Sequence, residues 1–411
     1  MNEKKKQIAE CAYHNVPFYQ NLVPDFPERF EDLPIIDKEK MIQGLGQNLA
    51  PEYMLNYLAE RLEKVMTSGS TGQFLTIYWD KSQQRKSLTE LWIRRKKYYK
   101  IMPSDKHCFF YTTRVIEGNC IPKIEHENCI GFSKLGLSEE RLVEIYHEIL
   151  EYQPRWLLAQ PSMIMLLIQI ATKYNLPKLS SVKYVELTGE RIDKAMREKI
   201  EKFFQCPIAS QYGCYEANSI AYECPQGHMH VMESNVYVEV LDENECPLEN
   251  KEGTVVITSL QNKVMPFVRY KIGDRGSIRK DVSCKCGNCS PIIELTKARE
   301  NDMVVNRDQS KVHSDIFAHA VEMVNLAMEN IVQYQVIQKD YEEFEISLVL
   351  DEVDEFEITK ELFIHALEGF SQGKTFHFKL MDRLFPNEKT GKLAWFKSEI
   401  EYEEKKESWK H

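Results

Sequence analysis

The stretch that decides the fold runs from Glu63 to Asp80, "EKVMTSGSTGQFLTIYWD", with "TSGSTG" at 67–72. Apolar Val65 and Met66 lead in, and Phe74, Leu75, Ile77, Tyr78 and Trp79 follow as a strand pattern over 74–79. The chain holds only 17 glycines in 411 residues, yet two of them share these six positions with four hydroxyl residues. Glycine lets backbone N–H groups approach an anion closely, and Ser and Thr add donors. The loop is therefore suited to a polyphosphate, although a hairpin or surface turn has the same composition. It is not a P-loop, because the spacing GxxxxGK[ST] is absent. What lies downstream separates the two readings.

Composition narrows the field. The chain is 43% hydrophobic and 28% charged, enough for a large core in two or three domains. A net charge of −10 argues against general affinity for nucleic acid or an anionic membrane. The opening "MNEKKKQIAECAYHN" has no apolar h-region. In the longest apolar candidate, "WLLAQPSMIMLLIQIA", Gln160, Pro161, Ser162 and Gln169 interrupt the run. The expectation is a cytoplasmic protein, in keeping with 11 mostly scattered cysteines in a reducing compartment.

Along the chain, helical patterns fill roughly 1–60, and a further helix is expected over 83–101. "KHCFFYTT" (106–113), "PRWLLAQ" (154–160), "VKYVELTGE" (182–190) and "PIASQYG" (207–213) read as strands, with helices between the later ones. That alternation predicts a mostly parallel sheet. From about 230 consecutive strands take over, and the last hundred residues mix helix with alternating strands. The fold class expected is a large α/β N-terminal domain, with mixed parallel sheets plus a β-rich part, over 1–299. A small α+β C-terminal domain follows over 300–411.

Five motifs in order carry a resemblance. "TSGSTG" (67–72), "LTGE" (187–190), "SQYGCYEA" (210–217), "RYKIGDRG" (269–276) and "PNEKTGKLAWF" (386–396) resemble the motif series of the acyl-adenylate-forming superfamily. "NVPFYQNL", "FEDLPIIDKEKM" and "CPQGHMHVMESNVYVEV" resemble its phenylacetate–CoA ligase subgroup. The likeness covers nearly the whole chain and implies the adenylate-forming enzyme fold.

The resemblance also implies roles. Ser68, Gly69, Ser70, Thr71 and Gly72 would hold the β- and γ-phosphates of ATP, though Gln73-Phe74 stands where the family often has Pro-Lys. Gly189 and Glu190 match the turn beside adenine; alone, they would read as a solvated strand-to-helix turn. Tyr212, followed by Gly213, matches the residue that stacks on adenine. Glu216 matches a Mg²⁺ ligand, a hard oxygen donor for a phosphate-bound cation. Asp274 matches the carboxylate that accepts both ribose hydroxyls. Arg299 matches the arginine before a hinge at 299–302 that rotates the small domain between half-reactions. Lys392 matches the mobile lysine that bridges carboxylate and α-phosphate. Departures are Tyr215 in place of a small hydroxyl residue, "AREND" at the hinge, and "NRDQSKVHSD" without the usual glycine.

"CKCGNC" (284–289) and "CPQGHMH" (224–230) bring four thiols and two imidazoles. A cysteine knuckle turning over glycine, plus a distant Cys and His, fits tetrahedral structural Zn²⁺. The expected ligands are Cys224, His230, Cys284 and Cys286, with Cys289 and His228 in reserve. Free thiols or a disulfide are the other readings.

The function implied is ATP-dependent conversion of a carboxylic acid, aromatic by expectation, to acyl-AMP, followed by transfer to coenzyme A. An acyl carrier protein is the alternative acceptor, and a nucleotide- or acid-binding protein without turnover is the reading outside enzymes. Nucleic acid and membrane are not expected partners, and a homodimer is left open.

Overall fold

The structure is a computed structural model that describes residues 2–400 apart from 24, 45, 67–74, 112–114, 117–118, 135–136, 193, 282, 300–302, 309–310, 329, 368–369 and 386–392. Two compact units divide the chain, the first built on residues up to Thr296 and the second on residues from Lys297.

A 12-stranded sheet organises the first unit. Its central strands are apolar runs: His107–Tyr111, Cys129–Ser133, Trp156–Ala159, Tyr184–Thr188 and Ile208–Tyr212. These five pair in parallel. Parallel strands are covered on both faces, so near-continuous apolar sequence is what they require. The helix Pro161–Lys173 supplies one cover, with Met163 to Leu167 all buried. The helix Glu139–Tyr152 begins at Ser138, whose hydroxyl accepts the Arg141 amide at 3.2 Å.

Beyond Tyr212 the pairing turns antiparallel, through Ala221–Glu223 and Met229–Val231. Further out lie Ile292–Arg299, Tyr270–Arg279, Gly253–Ser259 and Val236–Leu241. Within this sheet, parallel pairing is confined to these five strands; helices separate Cys129–Ser133 from Trp156–Ala159, Trp156–Ala159 from Tyr184–Thr188, and Tyr184–Thr188 from Ile208–Tyr212. The segment from 221 onward, joined by short turns, pairs as hairpins do.

The helical pattern over 83–101 resolves into Lys81–Ser87, Thr89–Arg94 and a π-helical turn, Arg95–Tyr99. π-Turns are rare and tend to occur at functional sites.

The second unit has a four-stranded sheet in the order Thr375–Leu380, Glu343–Leu350, Ile331–Asp340, Phe396–Ser398. The helices Asp315–Met328 and Phe356–Ala366 belong to the same unit. Phe317, Val336, Phe344, Ile346, Phe363 and Phe396 form its core.

Candidate functional site

The strands Glu63–Met66 and Thr76–Trp79 form an antiparallel hairpin, with Val65 opposite Ile77 and Met66 opposite Thr76. The glycine–hydroxyl loop at 68–72 connects them and lies outside the described residues. The hairpin is tied to the motif at 210–217 by Trp79, whose Nε1 donates to the Tyr215 carbonyl at 3.0 Å.

Gly189 ends the turn after Tyr184–Thr188 with φ +78°, a left-handed conformation that favours glycine. The Glu190 carboxylate accepts the Ser162 amide at 3.1 Å and the Ser162 hydroxyl at 2.9 Å. It therefore caps the helix Pro161–Lys173, rather than standing solvated as its sequence context alone suggested. At Gly213 a Cβ would meet the Asn218 carbonyl oxygen at 2.1 Å, so only glycine closes this turn.

The motifs at 210–217 and 269–276 are cross-linked twice. The Tyr212 hydroxyl donates to Asp274 Oδ2 at 2.7 Å, and the Tyr270 hydroxyl donates to Glu216 Oε1 at 3.0 Å. Burial, then the Glu216 carboxylate, push the Tyr270 phenol far above its usual pKa, so it keeps its proton and donates. Cys214 lies beside the same carboxylate, and burial, then Glu216, raise its pKa as well.

Four glutamates are buried among the described residues: Glu186, Glu216, Glu223 and Glu239. Arg95 Nε donates to Glu186 Oε2 at 2.8 Å, and Arg95 Nη2 reaches Oε1. Arg197 Nη2 donates to Glu223 Oε1 at 2.8 Å and Oε2 at 2.6 Å. Arg269 donates to both oxygens of Glu239 at 3.3 Å. Only Glu216 among these four has a neutral phenol in place of an arginine. A buried carboxylate normally needs a cationic partner, and among the described residues Glu216 is the one of the four that no arginine meets.

The structure brings Cys224, His230, Cys284 and Cys286 together, all four ligand atoms lying within 4.8 Å of one another. Cys224 Sγ stands 3.9 Å from Cys284 Sγ, and Cys286 Sγ stands 3.4 Å from His230 Nε2. Ligands at about 2.3 Å around a tetrahedral zinc are about 3.8 Å apart, so the donor set fits. His230 Nδ1 lies 2.9 Å from the Ser290 carbonyl oxygen, which can only accept. Nδ1 thus carries the proton and Nε2 faces the thiols, the outer hydrogen bond that metal-ligating histidines use. His228 Nδ1 lies 3.3 Å from Cys284 Sγ, and Cys289 is exposed.

Burial lifts the Cys224 thiol to about 11 and depresses His230. At Cys286 burial is outweighed by the Asn288 amide and by bonds from Cys284, Tyr98 and Cys224, which hold its pKa below the usual thiol value.

The helix and π-turn over 89–99 frame this cluster. Arg94 donates to the carbonyls of His230 (2.6 Å) and Val231 (2.7 Å). The Tyr98 hydroxyl lies 3.7 Å from Cys286 Sγ, and the Tyr99 hydroxyl donates to the Glu223 carbonyl at 3.0 Å. Sequence reasoning missed Arg95–Glu186 and Tyr270. A glutamate inside the apolar strand "YVELT" was a readable sign of a buried partner. Lys392 lies outside the described residues, as does the side chain of Arg299 at the end of the strand Ile292–Arg299.

The CapK C-terminal domain family matches residues 304–399. Protein CapK of Staphylococcus aureus is 20% identical over 406 residues, covering 93% of this chain and 85% of that protein. Phenylacetate-coenzyme A ligase of Thermus thermophilus is 25% identical over 357 residues, covering 82% of this chain and 76% of that protein. Among solved structures, 2-hydroxyisobutyryl-CoA ligase in the postadenylation state, bound to R3-HIB-AMP, superposes with TM-score 0.75 at 15% identity. That match covers 96% of this chain and 88% of the other. The same ligase with 2-HIB-AMP and CoA gives TM-score 0.62 at 16% identity, covering 97% and 89%. The chain thus shares the fold of the adenylate-forming CoA ligases along nearly its whole length, and over most of that length it is similar in sequence to a phenylacetate–CoA ligase.

Proposed function

We propose that the chain activates a carboxylic acid with ATP, forming an acyl-adenylate with release of pyrophosphate, and then passes the acyl group to coenzyme A. The observation that carries this reading is Glu216, a buried carboxylate that accepts a phenol rather than an arginine among the described residues. A phosphate-bound Mg²⁺ is the partner such a group suits, and the ion would neutralise charge building on the phosphate oxygens. Asp274, which accepts the Tyr212 hydroxyl at 2.7 Å, is a carboxylate of the kind that two ribose hydroxyls suit. Tyr212 offers its ring to adenine.

In the same reading Ser68, Gly69, Ser70, Thr71 and Gly72 cradle the terminal phosphates, and Gly189 with Glu190 shapes the adenine side. Arg299 precedes the hinge at 299–302, and Lys392 meets the carboxylate as it joins the α-phosphate. Glu190 also fixes Ser162, and with it the "AQPSM" segment (159–163), which by the family resemblance lines the acid pocket. The cysteine–histidine cluster holds structural zinc, since four protein ligands leave no open position for chemistry.

Pyrophosphate exchange into ATP across a panel of aryl and alkyl acids tests the first step. Exchange with one acid class supports adenylation, and no exchange with any acid favours a binding protein without turnover. Thioester formation with coenzyme A, measured against a carrier-protein phosphopantetheine, tests the acceptor.

A further inference from the structure

Tyr270 opens the strand Tyr270–Arg279, and its ring packs edge-on against Phe267 with centroids 5.0 Å apart. Its backbone is fixed by the N-terminal segment, whose motifs the proposed chemistry leaves unused. The Ile36 amide donates to the Arg269 carbonyl at 3.1 Å, and the Lys271 amide donates to the Ile36 carbonyl at 2.8 Å. Ile36 thus brackets Tyr270 in a single parallel bridge. One turn upstream, the buried Tyr19 hydroxyl donates to the Pro266 carbonyl at 2.8 Å and accepts the Val268 amide at 3.1 Å.

Arg269 sits between these two ties with φ +46°, a left-handed backbone that costs an L-residue energy unless its surroundings impose it. The surroundings do so. The buried Arg269 guanidinium donates to the carbonyls of Glu31 (2.5 Å) and Leu33 (2.6 Å) as well as to Glu239.

We propose that Tyr270 is a positioning residue for Glu216, its hydroxyl aiming the carboxylate at the cation site, and that Tyr19, Ile36 and Arg269 form the frame that holds it. This rests on the reading of Glu216 as the cation ligand. The chemistry favours a phenol here. Mg²⁺ demands near-ideal octahedral geometry, so a ligating carboxylate gains from a fixed orientation. A neutral donor fixes the orientation without cancelling the charge, as outer hydrogen bonds do at metal sites generally.

The test uses the full chain with Tyr270→Phe, which keeps the ring and removes the hydroxyl. ATP binding is titrated by calorimetry in MgCl₂ and in EDTA, well below each variant's unfolding midpoint. The expected result is unchanged affinity in EDTA, a roughly tenfold rise in half-saturating Mg²⁺, and rescue at high Mg²⁺. A merely structural role would weaken binding equally with and without Mg²⁺, and that outcome overturns the proposal. So does an unchanged Mg²⁺ dependence. Glu216→Gln separates the two layers. If it abolishes the Mg²⁺ effect while Tyr270→Phe leaves it intact, only the positioning role falls. If Glu216→Gln itself leaves the Mg²⁺ effect intact, the cation-ligand reading falls and takes the positioning role with it.

Discussion

Glu186 and Glu216 are both buried in the first unit, yet they have different surroundings. Glu186 is wholly enclosed, takes two bonds from Arg95, and accepts the Tyr222 hydroxyl at 2.9 Å and the Tyr184 hydroxyl at 3.2 Å. The Arg95 guanidinium also lies over Trp92 and Trp156, at 4.4 and 5.0 Å from the ring centroids. Both charges in that knot are paired, and it joins the π-turn to the strand that leads to Gly189. Glu216 meets the neutral Tyr270 hydroxyl and the Cys214 thiol, and no arginine pairs with it among the described residues. The first pattern holds a fold together, and the second is the one the proposed function assigns to a cation. Burial alone does not distinguish the two; the charge of the partner does.

Glu186→Gln should show the largest effect. Breaking a buried ion pair leaves Arg95 uncompensated and costs about 3–5 kcal/mol. The unfolding midpoint should fall sharply while the molecules that remain folded keep their activity. Glu216→Gln should do the opposite, with a nearly unchanged midpoint and acid-dependent pyrophosphate exchange down at least about a hundredfold. If both variants lost stability to the same degree, the contrast between the two glutamates would be broken.

Chelation comes next. A zinc site filled at 100 times its Kd contributes about 2.7 kcal/mol, so a strong chelator should lower the unfolding midpoint of the parent but not of Cys284→Ser. Elemental analysis finding no zinc, with no response to chelator, would return the cluster to free thiols.

A smaller effect is expected from His107, which stacks on Trp156 at 4.7 Å close to the Arg95 knot. Burial chiefly, with Arg95 adding, holds its pKa below the usual value. With the folded pKa depressed, the unfolded chain binds the proton more readily, so this stability is present above about pH 6.5 and lost as the pH falls. His107→Gln should flatten the fall in melting temperature between neutral and mildly acid buffer; an unchanged slope would assign the pH dependence to other groups.

Much of the architecture was legible because apolar runs such as "WLLA" and "YVELT" can only be buried strands, and because breakers bound them. Cys284 and Cys286 were legible as a knuckle, and Cys224 with His230 as its distant half, because ligand spacing is local. What sequence did not reveal was pairing at long range. Nothing local says that Tyr270 meets Glu216 across 54 positions, or that Arg269 ties back to Leu33 across 236. The capping of Ser162 by Glu190 was hidden for the same reason. The π-turn was invisible too, since "RRKKYY" has ordinary helical propensity and only tertiary bonds widen it.

That widened turn has a consequence for how the chain can change. Arg94, Arg95, Tyr98 and Tyr99 all reach inward, while Lys96 and Lys97 between them are exposed. Swapping either lysine for another residue should pass unnoticed. Removing one would wind the coil back to its ordinary pitch and swing both tyrosines off their targets. Here the spacer's length matters and its identity does not, so exposure is a poor guide to what can be deleted.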